Sequence, residues 1–339
     1  MPMDSRPVAS ISVVVPTYNR AALLPATLDA ILSQTLRPLE VIIVDDGSTD
    51  DTAAVLARYG RRLRVLRVPN GGDLKARNAG LAEATGDLVA FCDSDDLWKP
   101  GFLAAMLRMW QVEPALRVAF SDFVIIRDDV WQEDRKFADA PPGFWDGLRP
   151  LGASMSVFDQ PIVERLLDFQ PFFPSCMVAD RRFLLEVGGW DVSVGRRVGC
   201  DFATILRVAE HAPFGILQQP LVGIRKHAAN HSADVQAMNL GDAWILEHLL
   251  AERPSWQPHA AAVRASVAAR RMQALEIAFA RRDYQAVREI AAMLPALQSP
   301  RLRLKAQVAR LPPLVREASG AVLLSLGSLA SVRRRLRRG

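Results

Sequence analysis

Cysteine is scarce in this chain. The three present, Cys92, Cys176 and Cys200, are far apart and form no CxxC pair. An odd, widely spaced set excludes a disulfide framework and a cysteine-based zinc site, and it points to a reducing, cytoplasmic setting. Long apolar runs are missing too. No segment reaches the roughly 18 apolar residues that span a bilayer, and the opening MPMDSRPVAS has no apolar signal core, so a soluble or peripheral protein is expected. No GxGxxG follows the first apolar run and no GxxxxGK[ST] occurs, which argues against a dinucleotide enzyme and a P-loop NTPase.

Half of the 339 residues are apolar, enough for a sizeable core. The net charge of +5 is unevenly placed: residues 261–339 carry 16 Lys and Arg against 4 Asp and Glu. Aromatic residues do not interleave with these cations, so the tail speaks for an anionic membrane surface and against nucleic acid.

Short apolar, β-branched runs at 11–15, 39–44, 63–68 and 88–92 alternate with helical spacing at 21–34, up to Arg58 and at 75–84. Four such strand–helix units predict a doubly wound, mostly parallel α/β sheet over residues 1–235, with a helical appendage over 236–339. Ligands bind at the carboxyl ends of the strands in such sheets. Three of these ends carry polar clusters, Pro16 to Arg20, Asp45 to Ser48 and Asp93 to Asp96. Asp93 and Asp95, two apart, leave extended chain on the same side. Like charges held that close call for a hard cation such as Mn²⁺ or Mg²⁺ between them, whereas a solvated acidic turn leading into a helix at Asp96 is the plainer alternative.

Taken together, Val-Pro-Thr-Tyr-Asn-Arg at 15–20, Val-Asp-Asp-Gly-Ser-Thr-Asp at 44–50, Ala-Arg-Asn-Ala-Gly at 76–80 and Cys-Asp-Ser-Asp-Asp at 92–96 resemble the family 2 glycosyltransferases of GT-A fold, over residues 10–230. The resemblance implies that Pro16 and Tyr18 border a nucleotide pocket and that Asp46 faces the base. A carboxylate suits the N3–H of uracil, although Asp45 is as well placed to cap the loop that follows. Lys75 and Arg77 are implied to neutralise the diphosphate; the alternative is a helix face on the sheet with its charges in solvent. Asp93 and Asp95 become the DxD motif, Asp95 on the metal and Asp93 on the ribose or metal.

Further along, Gly188-Gly189-Trp190-Asp191 resembles the family's approach to donor sugar and acceptor, with Trp190 as a plain core anchor the alternative. Asp201 falls where the family carries its catalytic base, although Cys200 replaces the usual Glu, Ala203 stands where a further Asp is common, and an Asp there also caps helices readily. His227 falls in a terminal loop implied to reach the metal or diphosphate. Residues 127–168 have no clear period; Trp131, Phe144 and Trp145 line an acceptor site or a local core.

Helices are expected at 238–250, 260–280 and 284–294. In the tail, Val322, Leu326, Leu329, Val332 and Leu336 share a helical face beside five arginines, an interfacial pattern for residues 320–339 at the inner face of the cell membrane. The function implied is inverting transfer from a nucleotide-sugar, a UDP-sugar by the base argument, to a glycan or lipid-linked acceptor. A metal-dependent nucleotidyltransferase and a non-catalytic binding or scaffold protein of the same fold are the alternatives.

Overall fold

The computed structural model describes residues 9–227, 234–294 and 299–336, with side chains described as far as residue 324. Residues 228–232 of the loop after His227, and the tail side chains from Leu326 onward, therefore lie outside the described residues. The chain divides into two compact units, Met1–Asn230 and His231–Gly339.

In the first unit the strands and helices alternate as β1 (Ile11–Thr17), α1 (Leu24–Leu32), β2 (Glu40–Asp45), α2 (Thr52–Ala57), β3 (Arg64–Arg67), α3 (Asp73–Glu83) and β4 (Leu88–Phe91). β1 pairs in parallel with β2 on one side and β4 on the other, and β2 pairs in parallel with β3. All of β1 is buried, as a central strand covered on both faces must be. Helix α3 lies close on this sheet. A Cβ at Gly80 would come 2.3 Å from Val14 Cγ1, so only glycine lets the helix approach there.

Beyond β4 the sheet becomes mixed. β5 (Leu97–Trp98), α4 (Phe102–Val112), β6 (Val118–Arg127), β7 (Val130–Arg135), β8 (Leu148–Gly152), β9 (Met155–Phe158), α5 (Val163–Asp168), β10 (Met177–Asp180), α6 (Arg181–Glu186), α7 (Phe202–Ala209) and β11 (Phe214–Lys226) complete the unit. The strand order is β3-β2-β1-β4-β10-β6-β11-β9-β8, with β5 on β11 and β7 on β6. β10 runs antiparallel between β4 and β6.

Three features differ from the sequence reading. No helix starts at Asp96: Leu97 and Trp98 pair with β11, because Trp98 Nε1 donates to the Ser175 carbonyl and draws the segment inward. The unpatterned 127–168 stretch holds β7, β8 and β9. The first two are largely exposed, so neither shows a clean apolar alternation. β11 is thirteen residues long, yet its Pro220 and the register shifts around it hide the strand signature.

The second unit consists of α8 (Val235–Glu252), α9 (Ala260–Ala280), α10 (Tyr284–Ala292), α11 (Pro300–Val308) and α12 (Pro313–Leu336). Asp234 caps α8 and Asp283 caps α10 through backbone N–H groups. Leu275, Phe279, Tyr284, Val287 and Leu302 form a core against which Leu323 and Leu324 pack.

Asp242, 8% exposed, accepts from Arg270 Nη1 at 2.6 Å. Burial pushes its carboxyl up to about 6, with Arg270 pulling the other way. The folded state therefore holds this proton more tightly than the unfolded chain. The resulting penalty, on the order of 3 kcal/mol, is present at pH 7 and fades as pH falls through 6 towards 4. Denaturant titrations of the wild type and Asp242→Asn between pH 7 and 4 should show this extra gain on acidification in the wild type alone; parallel curves would contradict it.

Candidate active site

The site forms at the carboxyl ends of β1, β2 and β4, where strand order reverses about β1. Asn19, at φ 51°, joins the first two loops: its Oδ1 accepts from Thr49 N at 2.8 Å, and its own N–H donates to Ser48 Oγ at 2.9 Å. Tyr18 next to it is 44% exposed, whereas Pro16 is buried within β1 opposite Val44.

The two acids after β2 divide their work. Asp45 Oδ1 accepts from Ser48 N at 2.9 Å and so closes its own loop. Asp46 reaches across to the loop before α3, where Oδ1 takes Gly71 N at 2.7 Å and Oδ2 takes Gly72 N at 2.8 Å. Each oxygen retains a lone pair for a further donor. Gly72 sits at φ 94°. The Lys75 stem folds over Gly71 and the Arg196 stem over Gly72, and both side chains are exposed.

Arg77 is placed otherwise than on a solvent-facing helix surface. It is 3% exposed, and it donates from Nη1 to Asp73 Oδ2 and from Nη2 to Asp93 Oδ1, both at 2.6 Å. Its guanidinium lies 4.7 Å from the Trp190 ring centroid. Asp93 is thereby oriented by Arg77 and by its own backbone N–H, which donates to Ser175 Oγ at 2.9 Å. Burial, reinforced by Asp95, holds the Asp93 carboxyl above its usual range despite the Arg77 charge. Burial would raise Asp73 as well, but there Arg77 prevails and the carboxyl is lowered.

Asp95 faces a different set. Its Oδ2 lies 2.9 Å from His227 Nε2 and 3.5 Å from Arg20 Nε. Asp96, the third acid, points inward: Oδ2 accepts from Ser175 Oγ at 2.5 Å and Oδ1 from Arg225 N at 3.0 Å. Burial, with Asp95 and Asp93 adding to it, pushes its carboxyl well above the usual range. Its work is to tie β5 and β11 to the Ser175 turn.

The Gly-Gly-Trp-Asp string closes the opposite wall. The Asn78 amide grips the Trp190 backbone from both sides, accepting from its N at 2.7 Å and donating to its O at 2.8 Å. The Trp190 ring is 1% exposed and meets Phe91 edge-on at 5.0 Å. Asp191 is also inside, with Oδ2 2.8 Å from Arg207 Nη2 and Oδ1 accepting from Ser193 Oγ at 2.6 Å. Both side chains are thus held inside, Trp190 against Phe91 and Arg77, and Asp191 against Arg207 and Ser193.

Asp201 occupies the N-cap position of α7, but its side chain makes no capping hydrogen bond. It is close enough to Arg77 for its charge to be felt there. Next to it, the Cys200 thiol lies 3.7 Å from Asp73 Oδ1. Burial, then Asp73 and Asp201, push that thiol up, and it sits beside Asp73 as a weak donor.

Of the aromatics at 131–145, Phe144 is buried and Trp145 packs on it at 4.6 Å with its Nε1 donating to the Phe137 carbonyl. Trp131 lies under Lys99, 5.2 Å from ring to Nζ. Sequence reasoning assigned nothing to Ser175, Arg20, Asp73 or Asn78. Arg20 and Asn78 lie within the strings at 15–20 and 76–80 without a role of their own, and Asp73 and Arg77 stand four apart on a helix, whereas Ser175 left no signal.

Residues 12–166 match the family described as Glycosyl transferase family 2. Among curated relatives, an uncharacterized glycosyltransferase of Nostoc sp. is 38% identical over 225 residues, covering 65% of this chain and 66% of its own length, just under two thirds. The uncharacterized glycosyltransferase YwdF of Bacillus subtilis is 31% identical over 235 residues, covering 68% of this chain and 78% of its own. Two solved structures share the fold. S. aureus TarS 1-349 in complex with UDP-GlcNAc has TM-score 0.55 and 17% identity, over 94% of this chain and 92% of that one. The mannosyltransferase PcManGT of Pyrobaculum calidifontis, in complex with GDP-Man and Mn²⁺, has TM-score 0.53 and 22% identity, over 97% and 90%.

Proposed function

Because the chain belongs to glycosyl transferase family 2, we propose that it transfers a sugar from a nucleoside-diphosphate donor, a UDP-sugar, to a hydroxyl of a glycan or lipid-linked acceptor, with inversion at the anomeric carbon. The observation that carries this reading is the gathering of Tyr18, Asp46, Asp93 and Asp95 at the carboxyl ends of β1, β2 and β4, with Asp93 held by Arg77 at 2.6 Å.

In this reading the base lies at the Asp46 and Tyr18 end, with the free lone pair of Asp46 accepting the uracil N3–H. Exposed Lys75 approaches the diphosphate. Buried Arg77 acts as a positioning residue: it aims Asp93 at the ribose and, through Trp190, supports the wall beside the donor sugar. Asp201 takes the proton from the acceptor hydroxyl as that oxygen bonds to the anomeric carbon from the face opposite the diphosphate. The bond to the diphosphate oxygen breaks, and the nucleoside diphosphate leaves with the electron pair. No side chain is covalently modified.

Among the described residues no group of three or more His, Cys, Asp or Glu gathers that would hold a metal by itself. A hard divalent ion held by one or two protein oxygens plus substrate phosphates needs no such cluster. Asp95, with the His227 imidazole beside it, suits that arrangement and would hold Mn²⁺ or Mg²⁺. Such an ion supplies Lewis-acid neutralisation of the departing diphosphate, worth several kcal/mol.

Calorimetry with UDP, GDP and their sugars, with Mn²⁺ or with chelator, tests this reading. The wild type should bind one nucleoside diphosphate in a metal-dependent manner, and Asp95→Ala should lose that dependence with roughly a 100-fold weaker affinity. Equal binding by Asp95→Ala would remove the metal role. No binding of any nucleotide by the wild type would favour a scaffold protein of this fold.

A further inference from the structure

Helix α12 begins with an apolar strip open to solvent, in the most basic part of the chain. Leu314 is 89% exposed, Val315 51% and Leu311, just ahead of the helix, 37%. Ala318, one turn on, is exposed as well, and positions 314, 315 and 318 fall on one side of the helix. The other side is already committed to the core of its own unit. Gly320 is pressed against Tyr284, and Leu323 and Leu324 pack on the cluster around Leu275 and Phe279. The open strip is therefore not the spare edge of a core-facing helix.

In the sequence the same spacing continues through Val322, Leu326, Leu329, Val332 and Leu336 into Arg333, Arg334, Arg335, Arg337 and Arg338. From Ser299 to Gly339 the chain carries ten Lys and Arg and a single acid, Glu317. Among the described residues no helix is long and apolar enough to cross a membrane. α12 spans 24 residues, about 36 Å of helix. Exposed apolar side chains with an almost unopposed positive charge fit a surface that is apolar just beneath a layer of negative charge.

We propose that α12 docks in the plane of an anionic lipid bilayer, with Leu311, Leu314 and Val315 entering the acyl boundary and the basic sequence from Ser299 onward drawing the chain to the negative surface. This inference does not depend on the donor or on the metal. The strip binds without spanning, and each cation near the surface contributes about fivefold in affinity at low salt.

The test is sedimentation of the full chain with vesicles of phosphatidylcholine alone, or with a third of the lipid replaced by phosphatidylglycerol, at low and high salt. The second protein is the double variant Leu314→Glu, Val315→Glu, whose positions lie outside the core and whose fold is checked by its melting curve. The wild type should pellet with the anionic vesicles at low salt and not with the neutral ones. Its affinity should fall by about tenfold or more at high salt and in the double variant. Failure to pellet with anionic vesicles, or equal pelleting by the double variant, overturns the proposal. So does light scattering that shows a dimer which the double variant converts to a monomer, because the strip would then be covered by a second copy. Preferential binding of RNA over vesicles, lost in the same variant, would also overturn it.

Discussion

Replacing Asp201 with Asn is expected to slow sugar transfer by about 10²- to 10⁴-fold, the usual contribution of a positioned general base, while nucleoside diphosphate affinity stays within about twofold of wild type. The amide keeps the shape of the carboxylate but cannot accept the hydroxyl proton. The Asp201 side chain makes no capping hydrogen bond to α7, so the exchange leaves that cap unchanged. The charge, by contrast, matters at Arg77, which feels Asp201 in addition to its own partners Asp93 and Asp73. Turnover with saturating donor and acceptor, together with calorimetry of the nucleoside diphosphate, separates these effects. Undiminished turnover in Asp201→Asn would remove Asp201 as the base and direct attention to another acid of the site.

Arg77→Met is expected to cost about 3 kcal/mol of stability. Removing one partner of a buried ion pair ordinarily costs 3–5 kcal/mol. The low end applies because the Asp93 and Asp73 side chains, 31% and 47% exposed, can recover some hydration once the guanidinium is gone. Loss of the contact with the Trp190 face works in the same direction. For a folded unit of this size the melting temperature should drop by about 6 to 12 °C. Arg77→Lys should recover only part of that loss, since one ammonium lacks the planar fork that holds two carboxylates on opposite sides. A melting temperature within a degree of wild type would show that the acids find other partners. The same variant releases Asp93, so nucleotide affinity should weaken along with stability.

Much of the first half was legible because its signals are local. Strands buried on both faces must be continuously apolar, and the polar loops then have to follow their carboxyl ends; this reading placed Tyr18, Asp46, Asp93 and Asp95 at one edge of the sheet, where the structure has them. The direction of individual side chains was not legible. Arg77 and Lys75 are two positions apart on one helix, yet one is buried between two acids and the other exposed. Asp93, Asp95 and Asp96 form one acidic cluster in the sequence but face Arg77, His227 and Ser175 respectively. Trp190 and Asp191 are drawn inside because Asn78 and Arg207 hold them from elements 112 and 16 residues away.

Local signals along the chain were enough for the order of strands and helices from β1 to β4, the loops that carry the acids, the family resemblance and the basic character of the tail. The resemblance depends on motifs matched residue by residue, and the rest on composition and short-range periodicity. Long-range packing set which acids face Arg77 and His227 and which one braces β5 and β11, that β10 runs against its neighbours, that His227 after β11 comes back beside Asp95, and that α12 leaves an apolar strip uncovered. Each of those outcomes depends on contacts between residues far apart in the chain, and periodicity within a single element contains no information about its partner.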